Sequence, residues 1–178
     1  DFVQELHRLV GRPIGINLEP VDSQAQMAGE RLFIDEGRQA SLATIQRAEE
    51  LGVDFICLTG NPGTGVTNQA IIDTIRVVKE NFSGLLIAGK MHASGVDEPV
   101  ADLEAIAQFI EAGVDIVLAP AVGSVPGFDE QDLKQIVRLA HQKGALVMSA
   151  IGTSQESADE DIVKQMAIRN KICGVDIQ

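Results

Sequence analysis

Six short apolar runs, most of which contain several β-branched residues, recur along the chain and predict β-strands. Nearly every position within a run is apolar, without the alternation of a half-exposed strand. This pattern is typical of a parallel sheet that is covered on both faces. The predicted strands are residues 13–19, 53–60, 84–91, 114–121, 145–152 and 172–178.

Amphipathic helices are predicted between these strands, because apolar residues three or four positions apart form a stripe along each intervening segment. The stripes are Ile71, Ile72, Ile75 and Val78; Leu103, Ile106, Ala107 and Ile110; and Leu133, Ile136, Val137 and Ala140; an opening helix carries Phe2, Val3, Leu6, Leu9 and Val10 on one side. Three predicted helices end at a glycine, namely Gly52, Gly113 and Gly144, and a strand follows almost at once. A glycine there can take the left-handed conformation that ends a helix, so the chain repeats one helix–strand unit with a very short loop.

The alternation of strands and helices predicts an α/β fold, either a closed (β/α)₈ TIM barrel or an open doubly wound sheet. The barrel is favoured, because no G-x-G-x-x-G fingerprint follows the first strand and polar residues recur at the carboxyl ends of most of the predicted strands. A full barrel takes eight strands and ~250 residues, whereas these 178 residues supply about six strands. We interpret residues 1–178 as one barrel domain and expect a first strand and a last βα unit outside them. An open six-stranded sheet is the alternative.

Composition and charge narrow the classes of partner. Asp and Glu number 26 against 14 Lys and Arg, and the net charge of −12 disfavours binding to nucleic acid or to anionic lipid. No apolar run approaches the ~20 residues of a membrane span, and the first residues have neither the basic flank nor the apolar core that a signal peptide would show. Cys57 and Cys173 lie in apolar, strand-like runs and are expected to be buried free thiols, which suits the reducing cytoplasm. Unpaired sheet edges predict a homo-oligomer.

Polar residues gather where the predicted strands end, which is where a barrel carries its active site. Residues two apart on a strand share a face, so three strands are each expected to aim a pair of polar side chains into one pocket. The pairs are Asn17 with Glu19, Lys90 with His92, and Asp176 with Gln178. The predicted catalytic residues are Lys90, His92, Glu19 and Asp176.

Lys90 carries the sharpest chemical hypothesis, because it closes the apolar run 85–89. A partly desolvated lysine amine is a usable base or Schiff-base nucleophile. Two other roles stay open for Lys90: an ion pair with Glu19 or Asp176, or a contact with a substrate phosphate or carboxylate. His92 is interpreted as a general acid or base, with a merely hydrogen-bonded loop histidine as the alternative.

The loop after the second strand, residues 59–68, is rich in glycine and opens a helix. Its backbone N–H groups and the helix N-terminus can bind a phosphate or carboxylate. It is not a P-loop, because no Gly-Lys-Ser/Thr follows, and a tight turn with Thr67 as N-cap is the alternative. The predicted substrate-binding residues are Asn17, Thr59, Asn61, Gly63, Thr64, Gly65, Ser149 and Gln178. The longer connection 20–39 is interpreted as a lid or a subunit contact.

A metal site is the minority hypothesis for the same pocket. Glu19, His92 and Asp176 offer carboxylate and imidazole ligands, but the chain contains no H-x-H or E-x-x-H spacing. We therefore expect neither a metal nor another cofactor.

Three segments, residues 56–65, 88–93 and 118–123, resemble a group of uncharacterised bacterial TIM-barrel proteins, some of which carry the label haloacid dehalogenase-like hydrolase. The resemblance covers most of the chain and implies a barrel fold. More distantly, the chain is similar to the ribulose-phosphate-binding barrels and the aldolase-type barrels. That similarity implies a phosphate held by the loops after the last two strands. It also implies a Schiff-base lysine at a strand end, which Lys90 matches only in placement.

Three functional hypotheses follow from these observations. The first is an intracellular barrel enzyme that performs lyase, aldolase or isomerase chemistry on a small anionic, phosphorylated carbonyl metabolite. The second is a metal-dependent hydrolase in the same pocket. The third is a non-catalytic sensing or scaffolding barrel, because no highly specific catalytic motif is present.

Overall fold

The computed structural model describes residues 2–152 and 158–178, in which strands and helices alternate. The strands are β1 Gly15–Leu18, β2 Phe55–Leu58, β3 Leu85–Gly89, β4 Ile116–Pro120 and β5 Leu146–Ala150. The helices are α1 Phe2–Val10, α2 Leu42–Leu51, α3 Asn68–Asn81, α4 Leu103–Ala112, α5 Glu130–Gln142 and α6 Glu160–Cys173, and a short 3₁₀ turn spans Glu36–Arg38. Each of these five strands lies inside a run predicted to be a strand.

The five strands form one parallel sheet in the order β1-β2-β3-β4-β5, so each strand pairs with the next one along the chain. A doubly wound sheet reverses its strand order at a switch point, and no reversal occurs among the described strands. Sequential parallel strands joined by helices are the winding of a TIM barrel. The open doubly wound alternative is therefore wrong for this part of the chain.

The prediction of a strand over residues 172–178 is wrong at its start. Ile172 and Cys173 form the last turn of α6, which ends at Gly174 with a φ of 99°. Beyond it, a single parallel bridge joins Ile177 to Met148 of β5. The β-branched and apolar character of residues 172–173 suggested a strand, but Gly174 is the same helix-ending glycine that marks the earlier repeats.

The sheet carries a large apolar cluster on its helix-covered face and a small one on the other face. Leu58, Leu86, Ala88 and Val117 belong to the large cluster, which the helices complete. Cys57, Ile87, Ile116 and Leu118 form the small cluster. Both cysteines are buried free thiols, as predicted, and burial raises the pKa of the Cys57 thiol to about 12. Neighbouring residues on a strand thus belong to opposite faces, which determines where the residues after each strand point.

One structural device recurs with a spacing of 61 residues at the amino edge of the sheet. Gly52, Gly113 and Gly174 each end a helix in the left-handed conformation, and each is followed by Val and Asp. The three aspartates, Asp54, Asp115 and Asp176, each accept a backbone N–H from the first residues of the preceding strand or from the residue just before it, and each pairs with a basic side chain of a helix. The N–H donors are Ile14 at 2.6 Å, Leu86 at 2.8 Å and Val147 at 2.9 Å, and the basic partners are His7 at 3.1 Å, Lys79 at 3.4 Å and His141 at 2.9 Å.

Asp176 therefore lies at the wrong edge of the sheet for the role predicted for it. Its N–H donates to the carbonyl of Val147, and its carboxylate caps the start of β5. Burial acts to raise the pKa of Asp176, but hydrogen bonds from His141 and the Val147 N–H outweigh it, and the pKa is lowered overall. The expectation that Asp176 enters one pocket with Lys90 and His92 is wrong.

No helix in the described residues is long and apolar enough to cross a membrane.

Candidate functional site

Three connections that leave β1, β2 and β3 interlock above the carboxyl edge of the sheet. The segment 20–39 is tied to the loop after β2, because Asp22 N–H donates to the Gly65 carbonyl and Leu32 N–H donates to that of Gly63. It also reaches the loop after β3, where Ala28 N–H donates to the Gly95 carbonyl. The segment predicted to be a lid or a subunit contact thus packs on both neighbouring loops.

Glu19 lies directly after β1 and is buried, with only 1% of its surface exposed. Its carboxylate accepts the Asn61 N–H at 2.8 Å and the Asn61 side-chain amide at 2.6 Å, and it pairs with Arg38 at 3.0 Å. These three donors satisfy a carboxylate that burial would otherwise penalise. Glu19 therefore joins the β1 edge to the loop after β2.

The glycine-rich loop after β2 uses several of its backbone donors within the protein. Asn61 N–H donates to Glu19, Thr64 N–H donates to the Asn61 carbonyl, and Gly65 N–H donates to the Ser94 carbonyl. Thr67 caps α3 by accepting the Ala70 N–H, as the alternative interpretation of this loop expected. These N–H groups are already engaged, so anion binding by this loop remains a prediction that needs other donors or a movement of the loop.

Lys90 lies one residue beyond β3, with 1% of its side chain exposed. It is in phase with Ala88, a residue of the helix-covered face, and lines a cavity of about 10 Å³ together with Ile106 and Phe109 of α4. Its ammonium donates to Glu98 at 2.7 Å. The same Glu98 oxygen accepts the first N–H of α3, from Asn68, at 2.9 Å.

The partner of Lys90 and of the α3 N-terminus is thus an internal carboxylate. Lys90 does form an ion pair, as one of its three hypothetical roles required, but the partner is Glu98. The partners expected from the sequence, Glu19 and Asp176, are wrong. A substrate carbonyl in this arrangement would have to displace Glu98 to reach the amine.

His92 lies half-buried in the loop after β3. Its Nδ1 accepts the Ser94 N–H at 3.0 Å, so the proton of the neutral ring is on Nε2. Burial lowers the pKa of His92, the charge of Lys90 lowers it further, and the charge of Glu19 opposes the change. His92 is therefore a neutral imidazole near neutral pH. Among the described residues Nε2 has no hydrogen-bond partner, which leaves it able to donate to a ligand.

The structure brings some of the predicted site residues together and separates others. Glu19, Asn61 and His92 lie over the ends of β1, β2 and β3, and Lys90 lies below them on the helix side. Asn17 lies in β1 and Thr59 directly follows β2, both in phase with Cys57 on the opposite face of the sheet. Ser149 and Gln178 line a separate cavity of about 300 Å³ against α6.

Three residues of this region were not predicted from the sequence: Arg38, Ser94 and Glu98. Each lies in a connection between a strand and the next α-helix, and each contact joins residues that no strand or helix period relates. A positive charge in the long segment after β1 was the available signal for Arg38. The contact of Ser94 with His92 and the burial of Lys90 against Glu98 emerge only in three dimensions.

Within residues 2–152 and 158–178, no group of three or more His, Cys, Asp and Glu side chains is arranged to hold a metal ion. The three candidate metal ligands lie apart, since Asp176 is at the amino edge of the sheet while Glu19 and His92 are at the carboxyl edge. The geometry therefore gives the metal-dependent hydrolase no support.

Solved TIM-barrel structures share the fold of this chain at low sequence identity. A candidate lyase/mutase from Burkholderia cenocepacia J2315 is 17% identical with a TM-score of 0.62, and the match covers 98% of this chain and 57% of that one. A tetrameric deoxyribose phosphate aldolase from Aeropyrum pernix is 15% identical with a TM-score of 0.58, covering 99% and 67%. An oxaloacetate acetylhydrolase in complex with oxalate is 13% identical with a TM-score of 0.58, covering 98% and 60%.

These similarities establish an α/β fold of the TIM-barrel type, and the chain spans about three fifths of the length of these structures. No curated protein sequence matches the chain. The haloacid dehalogenase-like label gains no support from any of these matches. Over residues 1–178 the sequence matches one family model, and the chain belongs to that family, described as a domain of unknown function (DUF7916).

Proposed function

We propose that this chain forms part of the active site of a barrel enzyme that carries out lyase, aldolase or isomerase chemistry on a small anionic carbonyl metabolite. The observation that carries the proposal is His92: a neutral imidazole with a free Nε2–H donor at the carboxyl edge of a barrel sheet. In barrels this edge holds the active site. The shared fold with lyase and aldolase barrels supports the reaction class.

The chemistry proposed for His92 is donation of a hydrogen bond to the substrate carbonyl oxygen. When a proton or a carbon substituent leaves the adjacent carbon, negative charge develops on that oxygen. A donor already aimed at this position stabilises the charge without further reorganisation. A neutral ring suits this role, since its donor stays in place over the physiological pH range.

Three charged side chains, Glu19, Arg38 and Lys90, supply the setting for an anionic substrate. Glu19 is buried and fully hydrogen-bonded, so it anchors the loops. Arg38 is bound to Glu19 through one nitrogen, and 55% of its side chain is exposed, so a substrate carboxylate or phosphate can reach the remaining donors. Lys90 lies on the helix side of the sheet, where its amine is bound to Glu98. We therefore propose that it acts on the substrate through its charge and not by direct contact. Chemistry through an enolate, in which solvent water accepts the proton that leaves the carbon beside the carbonyl, is therefore favoured over an imine at Lys90.

The test is proton–deuterium exchange beside the carbonyl, which reports enolate formation whatever the later steps. The full chain is incubated in D₂O with pyruvate, 2-oxobutyrate, oxaloacetate or dihydroxyacetone phosphate, and ¹H NMR follows both exchange and cleavage. We expect faster exchange or cleavage for at least one compound, and a loss of about 10²–10³-fold in His92→Gln. A phosphorylated substrate is supported only if dihydroxyacetone phosphate is among the compounds that react.

The matched control is His141→Gln, which removes a histidine from the opposite edge of the sheet and should leave the rate unchanged. Equal rates for wild type and His92→Gln, or no reaction with any compound, would contradict the proposal. We further propose that the enzyme is a cytoplasmic homo-oligomer without a metal or other cofactor, and sedimentation of the full chain at micromolar concentration tests the assembly.

A further inference from the structure

Ser94 combines two energetically unfavourable features in the loop that carries His92. Among the described residues it is the one non-glycine with a positive φ, at 56°, and Gly95 follows it with a φ of 82°. Its hydroxyl is buried, and that oxygen has no hydrogen-bond partner in the described part of the chain. A left-handed serine and an unsatisfied buried hydroxyl each cost about 1 kcal/mol or more. Glycine would avoid both costs at this position.

The backbone of Ser94 makes two contacts that depend on this conformation. Its N–H donates to Nδ1 of His92 at 3.0 Å, a side-chain acceptor two residues earlier. Its carbonyl accepts the Gly65 N–H at 3.0 Å. The turn at Ser94 thus joins His92 to the loop after β2.

The hydroxyl lies against Gly60, where no side chain blocks it. A Cβ placed on Gly60 would lie 2.5 Å from the Ser94 oxygen and 2.8 Å from Val66 Cβ. Packing on Gly60 therefore keeps the Ser94 turn seated on the loop after β2, although the hydroxyl itself gains no partner.

We propose that Ser94 is a positioning residue for His92. The left-handed turn at Ser94 holds the Ser94 N–H on Nδ1 of His92 and thereby keeps the proton of the neutral ring on Nε2. The catalytic consequence rests on the function proposed for His92, but the placement of the proton does not. Strain held at one residue to fix the orientation of another is a known arrangement at functional sites. Lys90 and Glu19 are the charged groups whose fields reach the ring, and neither contacts Nδ1.

The inference predicts that left-handed propensity at position 94, and not the hydroxyl, controls His92. Ser94→Gly and Ser94→Asn favour a positive φ and should keep the Nε2–H form. Ser94→Val disfavours it, because a β-branched residue is poorly tolerated there. It should weaken the bond to Nδ1 and shift the tautomer ratio about two- to tenfold toward Nδ1–H. The pKa of His92 should rise in Ser94→Val, because the bond it loses is one made by the neutral ring.

Long-range ¹H–¹⁵N NMR of the histidine-labelled full chain measures the tautomer directly, with His7 and His141 as internal controls. A wild-type ring protonated on Nδ1, or a valine variant with wild-type tautomer and pKa, would overturn the inference. The wild-type, glycine and asparagine measurements decide the question even if Ser94→Val does not fold, since loss of the Nε2–H form in the glycine variant would refute a role for the backbone.

Exchange rates separate this inference from the proposed function. If His92→Gln abolishes turnover but the tautomer ratio of His92 is the same in all the Ser94 variants, the positioning role fails and the function stands. If the tautomer follows the series while the wild-type protein is inactive, the positioning role stands and the function fails. If the positioning role and the proposed function are both correct, Ser94→Val should lower kcat with little change in KM, whereas Ser94→Asn should keep kcat near the wild-type value.

Discussion

Replacing Glu98 with alanine should cost this protein more stability than replacing Lys90 with methionine, although both remove one half of the same ion pair. The Lys90 side chain is 1% exposed, whereas Glu98 is 26% exposed. Without Glu98, the ammonium stays buried with no counter-charge, and Asn68 N–H at the start of α3 loses its acceptor. Stranding one member of a buried pair costs about 3–5 kcal/mol.

Lys90→Met leaves a different set of groups behind. Methionine fills much of the lysine volume among apolar neighbours of α4. Glu98 keeps its bond to Asn68 N–H and retains contact with water, so we expect a loss of about 1 kcal/mol. In the double variant no charge is stranded, and it should be more stable than Glu98→Ala by about 2 kcal/mol or more.

Urea unfolding of the four proteins measures these differences, and a loss of 3–5 kcal/mol corresponds to a fall in Tm of about 10 °C for a chain of this size. The control is Glu111→Ala, which breaks the exposed ion pair with Lys143 and should cost less than about 1 kcal/mol. Additive losses, or a Lys90→Met variant as unstable as Glu98→Ala, would refute the buried-pair account of Lys90.

Three further outcomes follow from the same structure. Borohydride treatment with pyruvate or an aldehyde should leave the peptide that contains Lys90 unmodified, as read by mass spectrometry of a digest, because the amine is buried and bound to Glu98; a reduced adduct on that residue would restore the Schiff-base hypothesis. Gly60→Ala should destabilise the protein by about 1–3 kcal/mol in urea unfolding, because its Cβ would lie 2.5 Å from a buried hydroxyl, whereas Gly37→Ala, with open space around it, should not. Asp176 has a lowered pKa in the folded protein despite the opposing effect of burial, so its stabilisation is present above the ordinary aspartate pKa and disappears as the pH falls through the folded value. Asp176→Asn should therefore lose about 1 kcal/mol at pH 7 and flatten the acid limb of the stability profile, and an unchanged acid limb would contradict the pairing with His141.

The order of the strands, the helix-ending glycines and the carboxyl-edge position of Glu19, Lys90 and His92 were predictable from the sequence. All of them depend on local signals: apolar runs, glycine after a helical stripe, and polar residues after an apolar run. The period of two correctly placed Lys90 in phase with Ala88. It did not tell which face that was, because both faces of this strand are apolar.

Asp176 shows how a boundary error changes a predicted role. A strand starting at residue 172 places Asp176 near the strand's end, whereas a helix ending at Cys173 places it at the start of the next extended segment. The contacts of Ser94 and Glu98 depend on how three loops pack together. No single segment encodes that packing, so sequence patterns do not predict it.

The aspartates at the amino edge give the sheet a repeating unit of two neighbouring strands. An acceptor carboxylate stands directly before β2, before β4 and before the segment that pairs with β5, and each carboxylate binds an N–H at the amino end of β1, β3 or β5. Inserting or deleting one βα unit would break this alternation, and two neighbouring strands would then both offer an N–H or both offer a carboxylate. A segment of 61 residues preserves it. The natural increment by which such a sheet can be lengthened, shortened or recombined is therefore a pair of strands.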